Sequence, residues 1–365
     1  MPERIDVLIV DDSRLFRAAL EQALAGNPDI AVVGSVFSGA KALEIIRAKP
    51  PHVVTLDVEM AGMDGLATLQ EIQSFNQSRP SEAVGAIMVS AYTRRGADVT
   101  VKALQAGAFD FVTKPSGPSA DANPAALRNE VLPRIRACAR RRLRGIAPAH
   151  AGALDLSRLS PTQRPKRRTT EVRAIAVGVS TGGPRALATV LPELCSRVSV
   201  PILVVQHMPP KFTQSLAESL ARQTGQIVVE AVDGMPLTRA RVFIAPGGKH
   251  LVLRGSPVLP LLGLSDAPPE NGCRPSADVL FRSVAAVFGE SVLALILTGM
   301  GCDGTEGLRA IRRAGGYVIA QDEASSVVWG MPGSAVEAGL ADEVRPLSQI
   351  AAASAALLSA SAEAD

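Results

Sequence analysis

Apolar runs of strand length recur at residues 7–10, 30–36, 53–56, 84–89 and 109–112, and the segments between them carry apolar positions at helical spacing. That alternation predicts a parallel sheet with helices on both faces. The pattern resumes near residue 172, where 174–179, 202–205, 241–245, 292–297 and 317–320 read as strands, most of them followed by helical patterns. Residues 250–262, centred on Arg254-Gly255-Ser256-Pro257, read as an antiparallel hairpin added to the second sheet. The expected fold class is α/β, with two doubly wound parallel-sheet domains, the second larger and carrying the hairpin.

A chain of 365 residues is long enough for two or three domains, and 47% hydrophobic with 20% charged residues marks it as globular. The net charge of +3 conceals a division along the chain. Residues 1–120 carry 11 basic against 14 acidic side chains, 121–170 carry 12 against 3, and 171–365 carry 15 against 18. The basic stretch, with Arg134 to Arg144, Lys166-Arg167-Arg168 and the prolines 148, 161 and 165, reads as the end of a helix and a flexible connector. It lacks interleaved aromatics and any nucleic-acid-binding motif, so no nucleic acid is expected as partner.

No apolar stretch reaches the roughly 18 to 20 residues of a spanning helix, and the first residues do not form a signal segment. A cytoplasmic protein without direct membrane insertion is expected. Cys138, Cys195, Cys273 and Cys302 form no C-x-x-C, which argues against a zinc site or a disulfide framework.

Chemistry gathers in two clusters. In the first half, Asp11, Asp12, Asp57, Ser90 and Lys114 all fall at the carboxyl ends of expected strands, where ligands bind in such sheets. Carboxylates converging there repel, because two unit charges about 4 Å apart at an effective dielectric near 20 cost roughly 4 kcal/mol. A hard divalent cation such as Mg²⁺ resolves the conflict and bridges to a phosphoryl oxygen. Asp57 could then accept a phosphoryl group as a carboxylate nucleophile, with Lys114 and Ser90 meeting the new oxygens. The plainer alternative makes Asp11 and Asp12 helix N-caps and Asp57 a solvated loop residue.

Together with Asp57-Val58-Glu59-Met60, Met63-Asp64-Gly65, Ser90-Ala91 and Lys114-Pro115, these residues resemble the receiver domain of two-component response regulators, a flavodoxin-like fold. The resemblance implies phosphorylation at Asp57 by a histidine kinase, Mg²⁺ held by Asp11, Asp12, Asp57 and the Glu59 backbone, and Phe111 as the aromatic switch position beside Ser90 and Lys114. Ala61 departs from the proline that receivers usually carry after the methionine.

In the second half, Gly178-Val179-Ser180-Thr181-Gly182 follows an expected strand and Pro184 suits the first turn of a helix, the context of a nucleophile elbow. Alone it could equally be a turn capping the helix. Of the four histidines, His207 in Gln206-His207-Met208-Pro209 is best placed to act as base, just after a strand. Asp303, in the glycine-rich stretch Thr298-Gly299-Met300-Gly301-Cys302-Asp303-Gly304, can orient the imidazole, or else cap a helix starting near Thr305. Backbone amides of Thr181 and Met300 are the candidate oxyanion donors. Cys302 could serve as an alternative nucleophile, but a small loop-filling role suits it better.

The order Ser, His, Asp differs from that of α/β-hydrolases. With Arg274-Pro275-Ser276-Ala277-Asp278, Ala245-Pro246-Gly247-Gly248 and Val328-Trp329-Gly330-Met331-Pro332, this half resembles the catalytic domain of the chemotaxis protein-glutamate methylesterase family, CheB. The resemblance implies a Ser180, His207, Asp303 triad that removes methyl esters from glutamates of chemoreceptors, deamidates receptor glutamines, needs no cofactor, and is activated by receiver phosphorylation. The expected divisions are a receiver at 1–122, a helix end and basic linker at 123–169, the methylesterase domain at 170–355 and a tail at 356–365. Two other readings are a signalling adaptor or phosphate sink with a non-catalytic esterase-like half, and a transcription factor. The second would need a basic helix-turn-helix that this acidic half lacks.

Overall fold

A computed structural model describes residues 4–114, 124–146 and 171–362. They form two compact units, one up to residue 146 and one from residue 171. In the first, β1 (Ile5–Val10), α1 (Arg14–Leu24), β2 (Ile30–Val36), α2 (Gly39–Ala48), β3 (Val53–Asp57), α3 (Gly65–Ser78), β4 (Gly85–Ser90), α4 (Arg94–Gln105), β5 (Asp110–Thr113) and α5 (Pro124–Ile146) alternate along the chain. The strands lie in the order β2-β1-β3-β4-β5, all parallel. The chain leaves β1 to one side and returns at β3 on the other, so the carboxyl ends of these two strands flank the switch point where such sheets bind ligands.

The helices start where side chains satisfy orphan amides. Ser13, Ser38, Asp64 and Thr93 accept from the amides of Phe16, Lys41, Ala67 and Gly96, each cap contributing about 1 kcal/mol. Asp11 and Asp12 therefore do not cap α1. The first part of the basic stretch is committed to this unit. Arg128 donates to the carbonyl of Ala23, Arg136 makes a two-pronged bond with Asp29 at 2.8 and 3.0 Å, and Arg134 approaches Asp110 at 3.3 Å. The rest of the expected linker, including His150 and Lys166-Arg167-Arg168, lies outside the described residues.

The second unit runs β6 (Ala174–Val179), α6 (Gly183–Arg197), β7 (Ile202–Gln206), α7 (Phe212–Thr224), β8 (Ile227–Glu230), β9 (Arg241–Ile244), β10 (His250–Gly255), β11 (Pro260–Ser265), α8 (Ala277–Phe288), β12 (Val292–Ile296), α9 (Thr305–Arg313), β13 (Tyr317–Gln321), α10 (Met331–Glu337), β14 (Glu343–Arg345) and α11 (Leu347–Ala362). Seven strands form one parallel sheet in the order β14-β13-β12-β6-β7-β9-β8. Its central strands β6, β7 and β12 are buried along their whole length, as their unbroken apolar runs require. The switch point lies at β6, which pairs with β7 on one side and β12 on the other.

The hairpin forms as expected but stands as a separate two-stranded sheet. Leu251, Leu253 and Leu262 turn inward to the core shared with Phe281 and Val284 of α8, and Leu253 N–H donates to Ser283 Oγ at 2.9 Å. Strands β8 and β14 were not expected. α11 continues to Ala362 and buries Ile350, Ala351 and Ser354.

Candidate active site

Three neighbouring strands deliver the three expected side chains of the second half to one edge of the sheet. Ser180 follows β6, His207 follows β7, and Asp303 lies in the loop after β12. Val179 and Gln206 are partners in register, and His207 N–H donates to Val179 O at 3.2 Å, which fixes the first two positions side by side. On the other side Ser180 N–H donates to Thr298 O at 3.0 Å. His207 Nε2 lies 2.8 Å from Asp303 Oδ2. Because an ionised carboxylate only accepts, the neutral ring carries its proton on Nε2 and leaves Nδ1 as the basic nitrogen. This reverses the ring usage of the chymotrypsin triad, where the acid faces Nδ1.

Asp303 is 2% exposed and surrounded by donors. Oδ2 also accepts from Ala277 N–H at 2.6 Å, and Oδ1 from Ser276 Oγ at 2.7 Å, Asn271 Nδ2 at 3.1 Å and Asp278 N–H at 3.3 Å. The carboxylate thus sits on the amino end of α8, where the helix dipole favours negative charge. It does not cap α9, contrary to the alternative raised from the sequence: the residue preceding that helix is Gly304, which offers no side chain, and Asp278 Oδ1 accepts from Gly307 N–H at 2.6 Å.

Charge follows from this geometry. Burial by itself would raise the Asp303 carboxyl, but the bond and charge of His207, joined by Ser276 and Ala277, hold it well below the usual carboxylate range. Burial likewise favours a neutral His207, yet the bond to Asp303 and the neighbouring Cys273 prevail and lift the imidazole to about 9. Asp278 is raised by burial and by the charge of Asp303, against the Gly307 amide.

The Ser180 hydroxyl makes no hydrogen bond to His207 among the described residues; His207 Nδ1 instead faces Cys273 Sγ at 3.6 Å. Ser180 also lacks the left-handed backbone of a strained elbow, since the described non-glycine residues at positive φ are Lys211, Ala240 and Asn271. The turn is made by Gly182 at φ 80°. Gly299 is required by contact: a Cβ there would lie 2.9 Å from Ser180 Cβ and 2.3 Å from Met331 Sδ. Thr181 is buried and its carbonyl accepts from Thr298 Oγ1 at 3.0 Å. Met300 N–H, half-buried beside Gly299, has no protein acceptor among the described residues. Cys302 is exposed.

In the first unit, Asp11, Asp12 and Asp57 each offer a carboxylate oxygen, all within 4.8 Å of one another. Lys114 Nζ lies 2.7 Å from Asp11 Oδ2 and 2.8 Å from Asp57 Oδ2. Burial, with the charge of Asp11 and against the Lys114 bond, pushes Asp57 up to about 6, while its two carboxylate partners raise Lys114 against the effect of burial. Glu59 N–H reaches Asp57 Oδ1 at 3.4 Å. Ser90 is fully buried next to this cluster on β4, its hydroxyl on the Ala91 carbonyl at 3.3 Å, and Phe111 is buried on β5. Pro115 lies outside the described residues.

Comparison with known proteins decides the family. The profile described as CheB methylesterase matches residues 175–354, and that of the response regulator receiver domain matches residues 7–121. A protein-glutamate methylesterase/protein-glutamine glutaminase of Desulfotalea psychrophila is 42% identical over 96% of this chain and 97% of its own length. The chain belongs to this methylesterase/glutaminase family. Another member, protein-glutamate methylesterase/protein-glutamine glutaminase 2 of Koribacter versatilis, is 45% identical over 93% of the chain and 92% of its own length. The crystal structure of the Thermotoga maritima CheB methylesterase catalytic domain is 40% identical, covers 52% of the chain and all of that domain, and gives a TM-score of 0.50.

The CheB methylesterase domain places further polar residues around the His207–Asp303 pair, to which the sequence assigned no role. Asn271, Cys273, Ser276 and Asp278 all touch the His207–Asp303 pair or its partners, and Gln206 Nε2 donates to Ser180 O at 3.0 Å. The signal available was the run Asn271-Gly272-Cys273-Arg274-Pro275-Ser276-Ala277-Asp278, a turn followed by a polar helix start. The receiver domain implies Mg²⁺ binding, and its donors fit: three converging carboxylates are the hard oxygen ligands that this cation takes. No helix among the described residues is long and apolar enough to cross a membrane.

Proposed function

We propose that the chain hydrolyses glutamate methyl esters on chemoreceptors, releasing methanol, and deamidates receptor glutamines, with Ser180 as nucleophile, His207 as base and Asp303 as its orienting acid. The observation carrying this reading is the bond between His207 Nε2 and Asp303 Oδ2 at the end of strands flanking Ser180. Ser180 Oγ attacks the side-chain carbonyl carbon while His207 Nδ1 takes the hydroxyl proton. The amides of Thr181 and Met300 donate to the oxyanion, a contribution of roughly 3 to 4 kcal/mol per well-aimed donor. Collapse breaks the bond to methoxide or to the amide nitrogen, and His207 returns the proton, so methanol or ammonia leaves. Water then attacks the acyl-enzyme, gives its proton to His207, and the freed carboxylate leaves as Ser180 recovers its proton. One acyl-enzyme serves ester and amide alike.

The same reading makes the receiver its switch in the cytoplasm. A histidine kinase supplies the phosphoryl group, Asp57 accepts it, and Asp11, Asp12, Asp57 and the backbone of Glu59 hold the Mg²⁺ that offsets phosphoryl charge. Lys114, Ser90 and Phe111 respond to the new oxygens. Phosphorylation raises esterase activity to the extent that the phosphoryl group makes different contacts in the resting and active states. Residues 1–122 and 170–355 are the two working domains in this reading, with 123–169 joining them and 356–365 closing the chain. Methanol release from methylated receptor, with and without a phosphodonor, tests it: wild type is stimulated, Asp57→Asn is not. Equal stimulation of both proteins contradicts the switch.

A further inference from the structure

The loop before α8 contains a residue whose backbone and side chain are both unusual. Asn271 is held at φ 52°, a left-handed conformation that asparagine tolerates better than most residues. Its side-chain nitrogen donates to Asp278 Oδ2 at 2.8 Å and to Asp303 Oδ1 at 3.1 Å. Both carboxylates are 2% exposed. The other donors to Asp303, namely His207, Ser276 Oγ and the backbone amides of Ala277 and Asp278, donate nothing to the Asp278 carboxylate. The Asn271 amide alone donates to both carboxylates among the described residues.

Two carboxylates brought this close in a buried site tend to share one proton. A neutral group with two N–H donors removes the need for it, because each carboxylate receives a hydrogen without either becoming protonated. We propose that Asn271 is a positioning residue for the hydrolytic reaction, its amide bridging Asp278 and Asp303 so that Asp303 remains an unshared carboxylate turned towards His207. This rests on the reading of Ser180, His207 and Asp303 as a triad. The charged or titratable groups facing the pair are Cys273 on the His207 side, Asp278 on α8, and Glu270 and Arg282, which neutralise each other through bonds of 2.7 and 2.5 Å. None of these can replace a neutral two-hydrogen donor.

The test uses the full chain, methylated receptor, and methanol release measured between pH 6 and 10. Asn271→Asp keeps the shape and the tolerance of left-handed backbone but replaces the donor with an acceptor. Asn271→Gly keeps the backbone freedom and deletes the amide. Both are expected to lose about tenfold to a hundredfold in kcat at unchanged KM. In Asn271→Gly the acid limb of kcat/KM should also move down by about one pH unit, as Asp303 begins to share a proton and supports the imidazolium less. Wild-type kcat in Asn271→Asp would show that the residue only fills space and would overturn the inference. So would a fall in kcat with an unmoved acid limb in Asn271→Gly, which decides the matter alone if the aspartate variant does not fold. Ser180→Ala run in parallel separates the two claims: its inactivity upholds the triad whatever Asn271 does, and its activity removes the triad and this inference together.

Discussion

Asp278 and Asp303 cap each other's helices: Asp303, just ahead of α9, accepts from Ala277 N–H at the start of α8, and Asp278 on α8 accepts from Gly307 N–H in the first turn of α9. The exchange requires a close approach, and a Cβ on Gly307 would lie 2.9 Å from Asp278 Cα. Asp303 is therefore held by the packing of two helices as well as by its own loop. An anion at the amino end of a helix is stabilised by unpaired amides and by the dipole.

Asp303→Asn tests this charge. The amide keeps the shape but cannot accept from both His207 and the α8 amides as the carboxylate does, and kcat should fall by on the order of 10⁴-fold. The pH at which kcat/KM reaches half its maximum should drop from near 9 towards 6.5, because His207 loses the partner that raises it. His207 is raised on folding, so its contribution is complete below pH 6.5 and fades as pH rises through about 9. Asp303 is lowered on folding, so its contribution is complete above pH 3.8 and is lost as pH falls below that value. The difference in melting temperature between wild type and Asp303→Asn should be widest between about pH 4 and 6.5. A difference that grows towards pH 9 contradicts the assignment.

Gly299→Ala should damage fold and reaction together. The new methyl would press on Ser180 Cβ and on Met331 Sδ, at 2.9 and 2.3 Å before any adjustment. Overpacking of this kind costs about 1 to 3 kcal/mol, and displacement of Ser180 should lower kcat by about a hundredfold. Chemical denaturation together with methanol release measures both effects.

Charge crowding in the receiver predicts a stabilising substitution. Asp57 titrates near 6 in the fold against 3.8 ordinarily, so its ionisation costs stability as pH rises between these values. Asp57→Asn should stabilise the receiver by about 1 to 3 kcal/mol above pH 6 without divalent cation. Added Mg²⁺ should raise the melting temperature of wild type more than that of the variant and narrow the gap. An equal rise in both would argue against Asp57 as a ligand.

The sequence revealed those parts of the molecule that depend on continuous burial. Strands β6, β7 and β12 are uninterrupted apolar runs because both faces are covered, and the polar residues ending them stand out for the same reason. Strands β8 and β14 escaped because they are short edge strands, partly in solvent, with three consecutive apolar residues in β8 and one in β14. Ser180, His207 and Asp303 were visible as polar residues at strand ends. Asn271, Cys273 and Ser276 were not, since their contacts arise from a loop folded back across the sheet edge, and neither period 2 nor period 3.6 encodes that approach. Nor could the sequence tell which ring nitrogen of His207 faces Asp303, a matter of side-chain direction.

Methanol release from methylated receptor by Ser180→Ala decides whether Ser180 forms the bond to substrate. With the phosphodonor and Mg²⁺ present, wild type should turn over steadily while the variant, folded and melting at the same temperature, should fall by on the order of 10⁴- to 10⁶-fold. A folded Ser180→Ala protein releasing methanol within tenfold of the wild-type rate would mean that another group attacks the substrate.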